Sequence, residues 1–92
     1  MATQHTLIEG RVQGVGFRWF VRARATELAL HGWCANLPDG RVEVWLDGEP
    51  QALEQMASEL RRGPSAARVT RVQGVVDQPL TAIAHISARV AF

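Results

Sequence analysis

The sequence has a single cysteine, Cys34, no lysine, and no apolar run long enough to span a membrane. One cysteine excludes an intramolecular disulfide and a zinc site built from cysteines. The first residues lack the basic and apolar regions of a signal peptide. We therefore expect a soluble cytoplasmic protein that does not bind a membrane.

Net charge is also nearly absent, since ten arginines oppose nine acidic residues and leave +1. This balance gives no global reason to expect a nucleic acid partner. The 92 residues predict one small domain, residues 1–92, and the 47% hydrophobic content is ordinary for a globular protein. A chain of this size buries about 60% of its unfolded surface, so we expect it to fold without metal or disulfide support.

Apolar periodicity divides the chain into strands and helices. Residues 5–12 alternate, which predicts a strand with one buried face. The helical spacing of Phe17, Val21 and Ala25 predicts an amphipathic helix ending at Gly32. Further strands are predicted at 33–37, 41–47, within 67–76 and at 83–90, with a second helix from Pro50 to the Gly63-Pro64 stop.

The resulting order is β-α-β-β-α-β with an extra terminal strand. It is typical of the ferredoxin-like split βαβ sandwich, in which two helices pack on one face of an antiparallel sheet. We therefore predict an α+β fold of this kind.

A glycine-rich turn joins the first strand to the first helix. Gly14 and Gly16 permit positive φ and let a ligand approach the backbone. A strand, such a turn and a helix N-terminus gather free N–H groups around one point, which favours phosphate. Arg18 then falls in the first helical turn, where the helix dipole opposes a cation by roughly 0.3–1 kcal/mol. A guanidinium in that position is suited to bidentate binding of phosphate oxygens.

Two other features of the sequence have simpler interpretations than anion binding. No acidic residue occurs between Gly10 and Thr26, but we interpret Arg22 and Arg24 as the solvated face of the helix. The pentapeptide Arg-Val-Gln-Gly-Val occurs at 11–15 and again at 71–75. We interpret the second copy as chance or an echo of the two halves of the fold, and not as a second anion site.

Two motifs carry a resemblance to a known family. The first is Gln13-Gly14-Val15-Gly16-Phe17-Arg18, and the second runs from Gly32 to Val42 with a later Gly48. Together with Gly63-Pro64, their spacing resembles the acylphosphatase family over nearly the whole chain. The aromatic that family members tend to have before the terminal arginine is absent ahead of Arg89, which leaves the register of the last strand open.

The resemblance implies hydrolysis of a small acyl phosphate to a carboxylate and inorganic phosphate, the latter also a competitive inhibitor. It implies no metal, no cofactor and no phosphoenzyme, and we expect a monomer. Arg18 would bind the phosphoryl group and Asn36 would position the attacking water. The cradle would be completed by the backbone N–H groups of Gln13, Gly14, Val15, Gly16, Phe17 and Arg18.

Three alternatives stay open. Cys34 shares a strand face with Asn36 and is a conceivable nucleophile, although it lies outside the anion loop and is more simply a structural thiol. An RNA-binding module of the same fold would need exposed aromatics on its strands, and only Trp45 is placed for this. The third alternative is a non-catalytic accessory domain of the same fold that binds phosphate or carbamoyl phosphate. The sequence does not identify the acyl group.

Overall fold

The computed structural model describes residues 2–74 and 89–91. It contains β1 Ala2–Arg11, α1 Phe17–Glu27, β2 His31–Asn36, β3 Val42–Gly48, α2 Pro50–Arg62, β4 Arg68–Gly74 and β5 Arg89–Ala91. The predicted element order is confirmed. Most of the last predicted strand, residues 83–88, lies outside the described residues.

The five strands form one antiparallel sheet in the order β4-β1-β3-β2-β5. The open register of the terminal strand is resolved, because Val90 of β5 pairs with Cys34 of β2. Both helices pack on one face of the sheet and form the main core. Its buried residues are Ile8, Val12, Phe17, Val21, Ala25, Leu30, Cys34, Val42, Val44, Leu46, Leu53, Met56 and Leu60. The ferredoxin-like prediction is therefore confirmed.

Two arginines of α1, Arg22 and Arg24, differ in their surroundings. Arg22 is exposed, as predicted. Arg24 instead links the helices, because its guanidinium lies 3.0 Å from Glu59 of α2 and 3.0 Å from Glu27 of α1. In the described part of the chain, neither helix is long and apolar enough to cross a membrane.

The prediction that Gly32 ends α1 is wrong. The last helical residue is Glu27, and Ala29 turns the chain with a φ of 56° while the Leu30 N–H bonds to the Ala25 carbonyl at 2.8 Å. Gly32 lies in β2, where a Cβ would stand 1.8 Å from the Trp45 carbonyl oxygen. This glycine allows close approach of two strands, a requirement that only the tertiary structure reveals.

The prediction of a single buried face on β1 is also wrong, because Thr6, Leu7 and Ile8 are all buried. The sheet face away from the helices is shielded as well. It carries a hydrogen-bonded pair of side chains, in which His5 Nε2 lies 2.5 Å from Glu43 Oε2. Beside this pair is a small apolar cluster of Trp33, Ala35 and Trp45. Trp45 is therefore half-buried against neighbours, which is not the exposed position of a base-stacking aromatic.

Candidate active site

The loop between β1 and α1 has the backbone geometry that its glycines permit. Gly14 has a φ of 72° and Gly16 a φ of 80°, both in the left-handed region that favours glycine. The Phe20 N–H donates to the Gly16 carbonyl at 3.0 Å, which is the first bond of the helix. The N–H groups of residues 17–19 therefore have no acceptor within the helix. No acidic side chain lies in this first turn, so its positive end favours an anion.

Gln13 fixes this loop to the β2–β3 hairpin. Its Nε2 donates to the Leu37 carbonyl at 2.8 Å and to the Arg41 carbonyl at 3.0 Å. Val15 packs against the main core. Because both side chains hold the loop, its backbone is fixed beside the residue that ends β2.

That residue is Asn36, which pairs with Val42 at the end of β2. It lies on the same strand face as Cys34, two residues earlier. The Cys34 Sγ lies 3.7 Å from the Arg18 carbonyl oxygen, so this face of β2 packs directly against the first turn of α1. The amide of Asn36 is thereby placed near the helix N-terminus.

These elements enclose a pocket of about 180 Å³. Its lining residues are Val12, Gly14, Gly16, Phe17, Arg18, Trp19 and Asn36. Five predicted site residues thus meet in one pocket, including Arg18 and Asn36, which are 18 positions apart in the sequence. Gln13 and Val15 do not line it, and their side chains support the loop instead.

Two lining residues, Val12 and Trp19, were not predicted from the sequence. The signal for Trp19 was available, because it lies two residues after Phe17 and hence about 200° around the helix from the buried stripe. A large aromatic on the solvent side of a helix beside an anion loop indicates a contact residue. Val12 gave no such signal, because the sequence pattern predicts only that it ends an apolar strand.

Cys34 is fully buried beneath the pocket. Burial raises the pKa of its thiol to about 11, although the nearby charge of Arg18 acts in the opposite direction. The group is therefore a neutral thiol near neutral pH, and a thiolate is the nucleophilic form. This environment favours the structural interpretation of Cys34.

A wider cavity of about 380 Å³ lies beside the turn of the β2–β3 hairpin and is lined by Glu9, Gly10, Asp39, Gly40 and Arg41. Two of its charged groups pair with each other, since Arg41 Nη2 lies 2.7 Å from Asp39 Oδ2. Hydrogen bonds from Arg41 hold the pKa of the Asp39 carboxyl below its usual value. We therefore place the functional site in the smaller pocket. Among residues 2–74 and 89–91, no three His, Cys, Asp or Glu side chains are grouped to hold a metal ion.

Comparison with known proteins agrees with this geometry. The Acylphosphatase family model matches residues 4–83. An acylphosphatase of Thermococcus kodakarensis is 48% identical over 75 residues, which are 82% of each chain. The crystal structure of acylphosphatase from Bacillus subtilis superposes with a TM-score of 0.79 at 37% identity, covering 82% of this chain and 83% of that one.

A second kind of match is to part of a much longer protein. The crystal structure of HypF from Thermococcus kodakarensis has a TM-score of 0.74 at 35% identity, over 86% of this chain but only 10% of that chain. The same fold therefore also occurs as a segment of a large protein. The family model and the relatives that match over most of their length show that the chain belongs to the acylphosphatase family.

Proposed function

We propose that this protein hydrolyses acyl phosphates to a carboxylate and inorganic phosphate in the pocket between the β1–α1 loop and the end of β2. The observation that carries the proposal is the meeting of Arg18, Asn36 and the glycine loop around that one pocket. Membership of the acylphosphatase family supports the same activity.

Arg18 and the loop backbone act on the phosphoryl group. A carboxylate is a good leaving group, so the reaction needs no strong nucleophile. The main requirements are to hold the phosphoryl group and to neutralise the charge on its equatorial oxygens. The guanidinium of Arg18 and the N–H groups of the loop residues that line the pocket supply fixed donors for those oxygens.

Asn36 acts on the water. Its amide accepts a hydrogen bond from water and donates one to a phosphoryl oxygen, so it orients the water without itself titrating. The water oxygen forms the new bond to phosphorus as the bond to the carboxylate oxygen breaks. Among the described residues that line the pocket, no side chain is an evident base, so a phosphate oxygen of the substrate takes the proton. Near neutrality the pH–rate profile is therefore flat.

Further properties belong to the same proposal. The reaction proceeds without a metal ion or cofactor. The partner is a small acyl phosphate rather than a nucleic acid, and inorganic phosphate is a competitive inhibitor. We also propose a cytoplasmic monomer in which residues 1–92 form one domain.

The alternative is a non-catalytic phosphate- or carbamoyl-phosphate-binding domain of the same fold, and the likeness to one segment of HypF is the observation in its favour. The acylphosphatases reported above match over about four-fifths of their own length. This comparison favours the enzyme.

The decisive experiment is hydrolysis of benzoyl phosphate by the purified protein, followed by loss of ultraviolet absorbance, with and without a chelator. We expect turnover that the chelator does not change. Asn36→Ala should lose turnover while keeping its affinity for inorganic phosphate, because Asn36 acts on the water. Cys34→Ala is the matched control beneath the same pocket and should keep turnover.

Three results would contradict this assignment. A folded parent that binds phosphate but does not turn over would favour the accessory domain. Weak phosphate binding by Asn36→Ala would overturn the division of roles between Arg18 and Asn36. Loss of turnover in a folded Cys34→Ala variant would revive the thiol mechanism.

A further inference from the structure

Trp19 is an exception to the burial pattern of the molecule. It is 74% exposed, and no other large apolar side chain of residues 2–74 is exposed. The buried side chains of α1 are Phe17, Val21 and Ala25, and Trp19 points away from them. Packing within the described part of the chain therefore does not account for this tryptophan.

Its position supplies a second, independent observation, because Trp19 also lines the pocket. A side chain that is mostly exposed and still lines a pocket stands at its rim. Within the same pocket, the loop glycines and Arg18 offer polar groups to the phosphoryl end of a ligand. The indole offers a flat apolar surface next to them.

The substrate likewise has one charged end and one end that can be apolar. An acyl phosphate has a dianionic phosphoryl end and an acyl end of variable size. Arg18, Asn36 and the loop N–H groups are all polar and account for the first end. Of the described lining residues, the apolar Val12 and Phe17 are both buried, so Trp19 presents the only large apolar surface at the rim that an acyl group can reach. Aromatic rings pair with indole in offset or edge-to-face arrangements.

We propose that Trp19 is the specificity residue for the acyl group and that it favours acyl phosphates with a planar or extended apolar acyl group over those with a short one. This inference rests on the proposed function, because it concerns the same pocket. Trp19 contacts the substrate but takes no part in proton transfer or in charge neutralisation at phosphorus.

The test compares benzoyl phosphate with acetyl phosphate. In Trp19→Ala, kcat/KM for benzoyl phosphate should fall about tenfold, as expected for loss of one aromatic stacking contact. The value for acetyl phosphate should change by less than about twofold, because its methyl group covers little of the indole. Trp19→Phe keeps an aromatic surface and should recover most of the preference.

Two controls separate a substrate contact from a structural effect. Inhibition by inorganic phosphate should be the same in Trp19→Ala and the parent, since phosphate has no acyl group. Arg22→Ala removes another exposed side chain of α1, one that does not line the pocket, and should leave the ratio of the two substrates unchanged. An equal loss for both substrates in Trp19→Ala, or an unchanged ratio, would overturn the proposal.

A binding measurement keeps this inference separate from the proposed function. Benzoylphosphonate, a non-hydrolysable analogue, should bind the parent more tightly than Trp19→Ala by calorimetry. If the parent hydrolyses neither substrate but shows this difference in binding, the acyl contact of Trp19 is supported and the proposed enzymatic function is wrong. If it shows neither turnover nor a difference in binding, both are wrong.

Discussion

The sequence Arg-Val-Gln-Gly-Val occurs twice in the chain and adopts two different structures. In the first copy, β1 ends at Arg11 and the chain enters the loop in which Gly14 has a φ of 72°. In the second copy, residues 71–74 continue β4 as extended strand, and Gly74 has no positive φ. Val75, the last residue of that copy, lies outside the described residues.

Pairing with the rest of the molecule accounts for the difference. Residues 71–74 lie along β1, with Gln73 opposite Leu7 and Gly74 opposite Thr6, so strand pairing holds them extended. At the first copy, Gln13 instead donates its side-chain amide to two carbonyls of the hairpin. Gly16-Phe17-Arg18 then continues this copy into α1.

The comparison shows that the short motif alone does not determine the backbone conformation. The pocket beside the first copy is also formed by the second glycine, the helix start with Arg18, and the hairpin that positions Asn36. The second copy has an arginine and a glycine in the same order but lacks these surroundings. It therefore supplies matched controls for substitutions in the first copy.

The largest expected difference concerns arginine. Arg18→Ala should reduce kcat/KM for benzoyl phosphate by about 10²–10³-fold, because a donor to the developing charge is removed. Phosphate binding should weaken at the same time. Arg71→Ala removes an exposed arginine of the second copy and should leave both measurements unchanged within error.

Steady-state kinetics and phosphate titration of the two variants test this directly. If both arginine substitutions lowered activity equally, the loss would reflect general positive charge rather than a phosphoryl contact. If Arg18→Ala kept full activity, the assignment of the site would be wrong.

The next difference concerns the glycines and is measured as stability. Gly14→Ala should lower the free energy of unfolding by about 1–2 kcal/mol, because alanine is strained at positive φ. An added Cβ would meet no atom within 4 Å among the described residues, so the cost is conformational and not a clash. Gly74→Ala, in extended backbone, should change stability by less than about 0.5 kcal/mol.

Urea denaturation gives both values, provided that the slope of the transition is unchanged. Equal destabilisation by the two substitutions would show that the two copies share a backbone requirement, contrary to their φ angles.

Local patterns were sufficient to predict most of the fold. Helical spacing identified the buried stripes of both helices, and Gly63 ended α2 as expected. The loop glycines, Arg18 and Asn36 were also predicted as site residues from the sequence, Asn36 through its place in the family motif, and all of them line the same pocket. These features depend on neighbours within a few residues or on a spacing that the family shares.

The features that were missed depend on contacts between distant parts of the chain. Gly32 looked like a helix stop, but its role is to let β2 approach the backbone at Trp45. Leu7 looked like an outward-facing residue, but the second sheet face is shielded too. Trp19 could be placed off the apolar stripe, yet only the three-dimensional arrangement shows that it lines the pocket.

The smallest expected difference concerns glutamine. Gln13→Ala removes two hydrogen bonds, but both acceptor carbonyls keep a backbone donor, since Leu37 N–H bonds to Arg41 and Gly40 N–H bonds to Leu37. Neither carbonyl is left without a partner, so the free energy of unfolding should fall by only about 1 kcal/mol, which is at the low end for the loss of two hydrogen bonds. Gln73→Ala, at an exposed position of β4, should change stability by less than about 0.5 kcal/mol.

Activity adds information that stability does not. If Gln13 holds the loop against the hairpin, Gln13→Ala should also raise the KM for benzoyl phosphate while Gln73→Ala does not, because residues of both the loop and the hairpin line the pocket. A Gln13→Ala variant with lower stability but unchanged KM would show that the loop keeps its shape without this anchor. The glycines and the helix start would then be sufficient to form the cradle.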